Sequence, residues 1–276
     1  MPDTSHNSRG TIPASDPRVN HPTIWPATLW LVRHGESAGN VAREAADATG
    51  LEIIDIDVRD VDVPLSSLGE LQAVALGKWF ARMPEDARPN VVLSSPYKRA
   101  LRTAELILQN GKIKPVDPSV PIIVDERLRE KEFGVLDRLT RRGIVSMHPD
   151  QAEFRRMLGK FYHRPPGGES WTDVILRLRS GVEMISREHC AERVLVVAHS
   201  VVVLCMRYIL EHMTEEQILA IDRETEVANC SVTRYDNDTS RIKHGKLELT
   251  EFNFVAPLEN EGAPVTSAPD AVAGAK

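Results

Sequence analysis

The sequence predicts an α/β protein, a three-layer α/β/α sandwich on a mainly parallel sheet with a helical cap insertion. Three observations lead there. Short continuous apolar runs at 28–32, 91–93, 121–124 and 194–197 alternate with longer segments of helical periodicity. Unbroken apolar runs are how strands buried on both faces read, and their alternation with helices argues a parallel sheet covered on both sides. Several runs also end abruptly in Arg, His, Ser or Glu, and in such sheets ligands bind beyond the carboxyl ends of the strands. Finally, residues 130–166 break the alternation with two short helical patches and many arginines, which reads as an insertion, about 131–168, folding over the sheet edge as a cap.

In chain order, residues 1–26 are rich in Ser, Thr, Pro, Asn and Asp and read as a disordered tail. The domain is expected over 27–255. The run 28–32 is the first strand, and the polar segment starting at Glu36 and Ser37 has helical composition. Leu68, Leu71, Ala75, Trp79 and Phe80 define a helix over 68–83, introduced by Pro64 and the capping serines Ser66 and Ser67. Strand 91–93 leads to a helix expected to begin at Pro96, with Tyr97, Ala100, Ala104 and Ile107 on its face. After strand 121–124 and the cap comes a long amphipathic helix over 171–185, carrying Val174, Leu178, Val182 and Ile185. Strand 194–197, a helix over 201–212 and late strands at 230–235 and 247–254 complete the domain. Residues 256–276, rich in Pro, Ala, Gly and Glu, read as a second disordered tail.

Composition narrows the function. The 276 residues are 42% hydrophobic, enough for a large core, and the formal net charge is −6. That charge argues against a nucleic-acid partner held by a broad basic surface, so an anion site must come from locally placed arginines. No apolar run reaches membrane-span length, so no membrane partner is expected. The N-terminus lacks a signal-peptide apolar core, and Asp3 and Asp16 count against a transit peptide. Cys190, Cys205 and Cys230 lie in or near apolar runs without metal-ligand spacing, and three thiols cannot all pair. They read as buried reduced thiols of a cytoplasmic protein.

The strand ends carry the chemistry. Leu31-Val32-Arg33-His34-Gly35-Glu36-Ser37 reads as a strand, a tight turn and a helix N-terminus, where backbone N–H groups and the helix dipole favour an anion. Arg33 adds a positive fork suited to phosphate or carboxylate, and His34 an imidazole that can be neutral at physiological pH. Taken alone, the stretch is as readily a solvated turn as an active site. The second strand end leads to Ser94-Ser95-Pro96-Tyr97-Lys98-Arg99, the third to Glu126, Arg127, Arg129, Glu130 and Glu132, and the fourth to His199 and Ser200. Two histidines, two arginines and a carboxylate form a coherent set for phosphoryl transfer.

These residues resemble the histidine phosphatase superfamily, in the branch holding cofactor-dependent phosphoglycerate mutases and related phosphatases. Arg33-His34-Gly35-Glu36 is similar to its signature, Pro64-Leu65-Ser66-Ser67-Leu68-Gly69 to its helix entry, and residues 94–104 to its second motif, with the arginine at Arg99. Residues 128–134 resemble its acid-bearing segment, Gly168-Glu169-Ser170 a helix start, Val196-Val197-Ala198-His199-Ser200 the second-histidine strand, and 229–233 the late strand. The resemblance implies His34 as the nucleophile forming a phosphohistidine and Glu130 as proton donor, with Glu132 as rival. It implies Arg33, Arg99 and His199 as the rest of the phosphate pocket and Asn40 as a further contact. It also implies no metal and no cofactor.

Two departures bear on the reaction. The chain continues from His199 as Ser200-Val201-Val202-Val203 where mutases carry a Gly-Asn-Ser-type turn, and Arg155-Arg156-Met157-Leu158 does not reproduce the mutase insertion. The expected activity is therefore hydrolysis of a small phosphorylated metabolite, with mutase activity the alternative and a catalytically silent binding protein a weaker one. Arg129, Arg141, Arg142, Arg155, Arg156 and Arg164 crowd the cap, either as a second anion site or as a solvated surface. Arg164 is the candidate to face substrate. Oligomeric state is not legible in the sequence.

Overall fold

In a computed structural model of the chain, which describes residues 24–238 and 245–268, the sheet has six strands. They are β1 (Thr28–Arg33), β2 (Val91–Ser94), β3 (Ile123–Val124), β4 (Arg193–Ala198), β5 (Val232–Asp238) and β6 (Lys246–Phe254). Their spatial order is β3-β2-β4-β1-β5-β6. Neighbours from β3 to β1 pair in parallel, while β5 and β6 add antiparallel to the β1 edge.

Period-two alternation divides the apolar strands between two cores. Leu29, Leu31, Val194 and Val196 point to one face, under α6 (Trp171–Glu188) and α7 (Ser200–Leu210), where they meet Trp171, Leu178, Val202 and Met206. Trp30, Val32, Leu195 and Val197 point to the other. There α2 (Ser67–Arg82) and α3 (Lys98–Asn110) supply Leu76, Phe80, Ala104 and Ile107, and the Trp30 and Phe80 rings meet edge to face at 5.6 Å. Each fully buried Leu, Ile or Phe contributes about 1.5–3 kcal/mol. This is the three-layer sandwich expected from the sequence, with a mixed edge.

The cap leaves and rejoins the domain at one neck, a single antiparallel bridge between Phe133 and Gly168. It holds α4 (Arg141–Met147) and α5 (Pro149–Tyr162), the latter broken at Gly159, whose φ is 77°. Two more helices flank the sheet ends: α1 (Ala38–Thr49) after β1 and α8 (Glu215–Glu224) after α7. α8 was not anticipated, although its Thr214-x-x-Gln217 capping box is legible in the sequence.

Three expectations need correction. Pro96 does not open a helix: Tyr97 is the extended N-cap and α3 begins at Lys98, so Pro96 fixes the turn before it. Cys190 is exposed at the end of α6, whereas Cys205 and Cys230 are buried and their thiols pushed upward by desolvation. The C-terminal tail was expected to be disordered from residue 256. Instead α9 (Ala256–Glu259) packs on α2 through the fully buried Leu258, and residues 260–268 run on across the domain. Composition misled here because a few well-placed apolar and hydrogen-bonding residues suffice when a groove already exists. Residues 1–23 and 269–276, on which the remaining tail assignments fall, lie outside the described residues.

Candidate active site

Sheet register brings the two histidines together. Arg33 of β1 pairs with Ala198 of β4, and the next residue on each strand is a histidine. Neighbouring strands lie about 4.8 Å apart, and the His34 and His199 rings are centred 5.2 Å from one another. Both are fully buried. His34 Nδ1 lies 2.6 Å from the Gly35 carbonyl oxygen. A carbonyl only accepts, so Nδ1 carries the hydrogen and Nε2 keeps its lone pair. That Nε2 accepts from Arg99 Nε at 3.2 Å. His199 Nε2 meets Ser95 Oγ at 2.8 Å.

The loop after β1 is held from several directions. Cys230 N–H donates to the Arg33 carbonyl at 3.0 Å and Asn229 Nδ2 to the His34 carbonyl at 3.1 Å. Thr103 Oγ1 accepts from Gly35 N–H at 3.0 Å, and Gln72 Oε1 from Glu36 N–H at 2.9 Å. Glu36 itself accepts from Ser66 Oγ at 2.6 Å, so it ties the loop to the start of α2. Two glycines make the approach feasible: a Cβ on Gly35 would fall 2.4 Å from the Gly69 carbonyl oxygen, and one on Gly69 would fall 1.9 Å from that of Glu36. The helix-entry motif is thus a spacer for the histidine loop.

Arg33, Arg99, Asn40 and Glu130 are all buried around this centre. Arg33 Nη1 donates to the Val227 carbonyl at 2.6 Å and Nη2 to that of Ala268. Asn40 sits in the first turn of α1, where its Oδ1 closes a capping box with Ser37 and its Nδ2 donates to the Ala268 carbonyl at 3.0 Å. Arg99, in the first turn of α3, bridges His34 and Asp60: its Nη1 and Nη2 grip the Asp60 carboxylate at 2.9 and 3.2 Å. Glu130 Oε1 accepts from Lys131 N–H at 2.7 Å, and Oε2 lies 3.9 Å from His199 Nδ1. Glu132 is instead half exposed and accepts from Tyr97 Oη at 2.8 Å. Burial, then the Glu132 charge, pushes the Tyr97 phenol far above its ordinary range.

Arg164 does not join the group. Its side chain is 62% exposed and forks onto Asp173 at the start of α6, where it fastens the cap exit. Arg129 pairs with Glu169 and Arg156 with Glu153, so these cap arginines also have carboxylate partners. Beside Arg99 lies a cleft of about 370 Å³ whose lining includes Asp57, Asp60, Glu132 and Asp137. Burial, then Asp60, raises the Asp137 carboxyl. Sequence reasoning missed Asp60, Ser95, Asn229 and Gln72 as site residues. Ser95 directly follows a strand end and was findable; Asp60 opens a single 3-10 turn, Asp60–Asp62, too short to leave a periodic signal.

The sequence of residues 29–250 matches the model of the histidine phosphatase superfamily, branch 1. The chain belongs to this family. Its relatives include both kinds of enzyme. It is 32% identical over 202 residues to the 2,3-bisphosphoglycerate-dependent phosphoglycerate mutase 2 of Gloeobacter violaceus, an overlap of 72% of this chain and 82% of that one. Among solved structures, YhfR of Bacillus stearothermophilus superposes with a TM-score of 0.64 at 27% identity, over 84% of this chain and 98% of the other. A mycobacterial glucosyl-3-phosphoglycerate phosphatase shares the fold, with a TM-score of 0.60 at 24% identity over 83% and 99% of the two chains. In this member of the superfamily no described helix is long and apolar enough to cross a membrane.

Proposed function

We propose that this histidine phosphatase is a metal-independent phosphomonoesterase acting on a small phosphorylated metabolite in the cytoplasm through a phosphohistidine. The observation that carries the reading is the His34 tautomer: the Gly35 carbonyl holds the proton on Nδ1 and leaves Nε2 as a nucleophile beside Arg99. Nε2 attacks phosphorus as the P–O bond to the leaving alcohol breaks, and Glu130 gives that oxygen its proton. The Glu130 carboxylate then takes a proton from water, whose oxygen attacks phosphorus. The P–N bond breaks, orthophosphate leaves, and the lone pair returns to Nε2. Arg33, Arg99, Asn40 and His199 donate to the non-bridging oxygens, so guanidinium charge does the work a metal ion does elsewhere.

Hydrolysis is favoured over the mutase reaction by the surroundings. A mutase must retain a doubly phosphorylated intermediate while it turns over. Here the cleft beside Arg99 sets four carboxylates against two arginines, Arg59 and Arg138, and Arg129, Arg156 and Arg164 have carboxylate partners of their own. The mutase reading is supported by several sequence relatives named as phosphoglycerate mutases, the Gloeobacter violaceus protein among them. The test is turnover in a chelator. Release of phosphate from p-nitrophenyl phosphate is expected to persist there and to vanish in His34→Ala. Interconversion of the monophosphoglycerates faster than phosphate release would establish the mutase instead.

A further inference from the structure

The described C-terminal segment ends in the phosphate pocket. Its root is fixed: Leu258 of α9 is fully buried, Ala263 packs on the same core, and Glu261 pairs with Lys78 and Arg82 on α2. Beyond the root the chain is latched by side chains of the histidine-loop scaffold. Gln72 Nε2 donates to the Pro264 carbonyl at 2.9 Å and to Thr266 Oγ1 at 3.0 Å. Asn229 N–H donates to the Thr266 carbonyl at 2.8 Å, and Thr266 Oγ1 donates back to Asn229 Oδ1 at 3.0 Å. Two residues on, the Ala268 carbonyl oxygen accepts from both Arg33 Nη2 and Asn40 Nδ2.

We infer that residues 264–268 are an autoinhibitory strap, with the Ala268 carbonyl holding the donors that a phosphoryl oxygen takes. The inference rests on Arg33 and Asn40 being phosphate contacts, as proposed above. A peptide carbonyl carries only a partial negative charge, so it satisfies the buried guanidinium without neutralising it. A phosphomonoester dianion makes charge-assisted bonds to the same two groups and displaces the strap. Strap and substrate are therefore mutually exclusive, and apparent affinity for any phosphate falls by the fraction of chains with the strap open. A strap closed ten to one weakens binding about elevenfold. Thr266 bonds no reacting side chain and meets the histidine loop only through Gln72 and Asn229, so the strength of the latch is adjustable there.

The test compares three proteins: the full chain, full-chain Thr266→Val, and a chain ending at Ala263, which keeps Leu258 and Ala263. Orthovanadate binding is measured calorimetrically, alongside thermal melting and p-nitrophenyl phosphate turnover. The shortened chain is expected to bind vanadate about tenfold tighter, and Thr266→Val, which loses both hydroxyl bonds in the latch, to fall between. A peptide of residues 260–276 added to the shortened chain should restore weak binding competitively. Should the shortened chain misfold, Thr266→Val alone decides the matter. Equal affinity in the folded proteins, or weaker binding without the strap, overturns the inference while His34-dependent turnover leaves the phosphatase reading standing. Failure of every folded protein to bind vanadate or turn over overturns both.

Discussion

Glu130 shows what a single residue contributes that a motif does not reveal. Glu130 and Glu132 are two apart in the sequence, and either suits a proton donor. The backbone turns one carboxyl inward, 3.9 Å from His199, and the other outward onto Tyr97. Glu130→Gln is therefore expected to lower kcat for an alkyl phosphate by about 10²–10⁴-fold, the range of general acid–base catalysis. It should cost p-nitrophenyl phosphate much less in the first step, because p-nitrophenolate leaves without a proton. Glu132→Gln should spare both substrates. Steady-state rates on the two esters, with a burst measurement for the first step, check this; an equal loss on both esters in that step would remove Glu130 from the acid role. Arg33, His34, Arg99 and His199 were legible because strand ends announce themselves as an apolar run meeting a polar residue. Arg164 misled because sequence shows charge but not the carboxylate that meets it, here Asp173.

At the scale of elements, the start of α6 joins the cap to the sheet. Ser170 and Asp173 form a reciprocal capping box, with Ser170 Oγ accepting from Asp173 N–H at 3.2 Å and Asp173 Oδ2 from Ser170 N–H at 2.8 Å. Asp173 also holds Arg164. Burial works against the Asp173 charge, but the Ser170 and Arg164 hydrogen bonds win and hold the carboxyl below its ordinary range. Ser170→Ala is expected to cost about 1 kcal/mol, a fall in Tm of about 2–4 °C for a domain of this size, and thermal melting measures it. The boundaries of α2, α6, β1 and β4 were readable to within a few residues because apolar periodicity and capping serines agree there. β3 shrank to Ile123–Val124 and α3 started late, since strand pairing and a turn-forming proline are decided by neighbours absent from the local sequence.

For the molecule as a whole, one buried cation sets a pH dependence of stability. Lys131 is 5% exposed, its ammonium over the Phe133 ring at 4.1 Å. Burial first, and then Arg155, pulls its pKa down from 10.5 to about 8. Between those values the unfolded chain binds more protons than the folded one, so stability rises with pH across that window. Below it the folded state carries the whole penalty, on the order of 3 kcal/mol. Lys131→Met should thus melt higher at pH 7 and lack the alkaline rise; an unchanged difference between pH 7 and 10 would refute this. The position of β1 has a further consequence for how the chain is made. β1, which leads into His34, is made before both of its neighbours, β4 and β5, whose pairing residues span 193–198 and 232–236. Those contacts close loops of well over a hundred residues, which is slow. A nascent chain that stops short of about residue 236 lacks β5 and leaves one edge of β1 unpaired, so catalysis awaits the synthesis of β5.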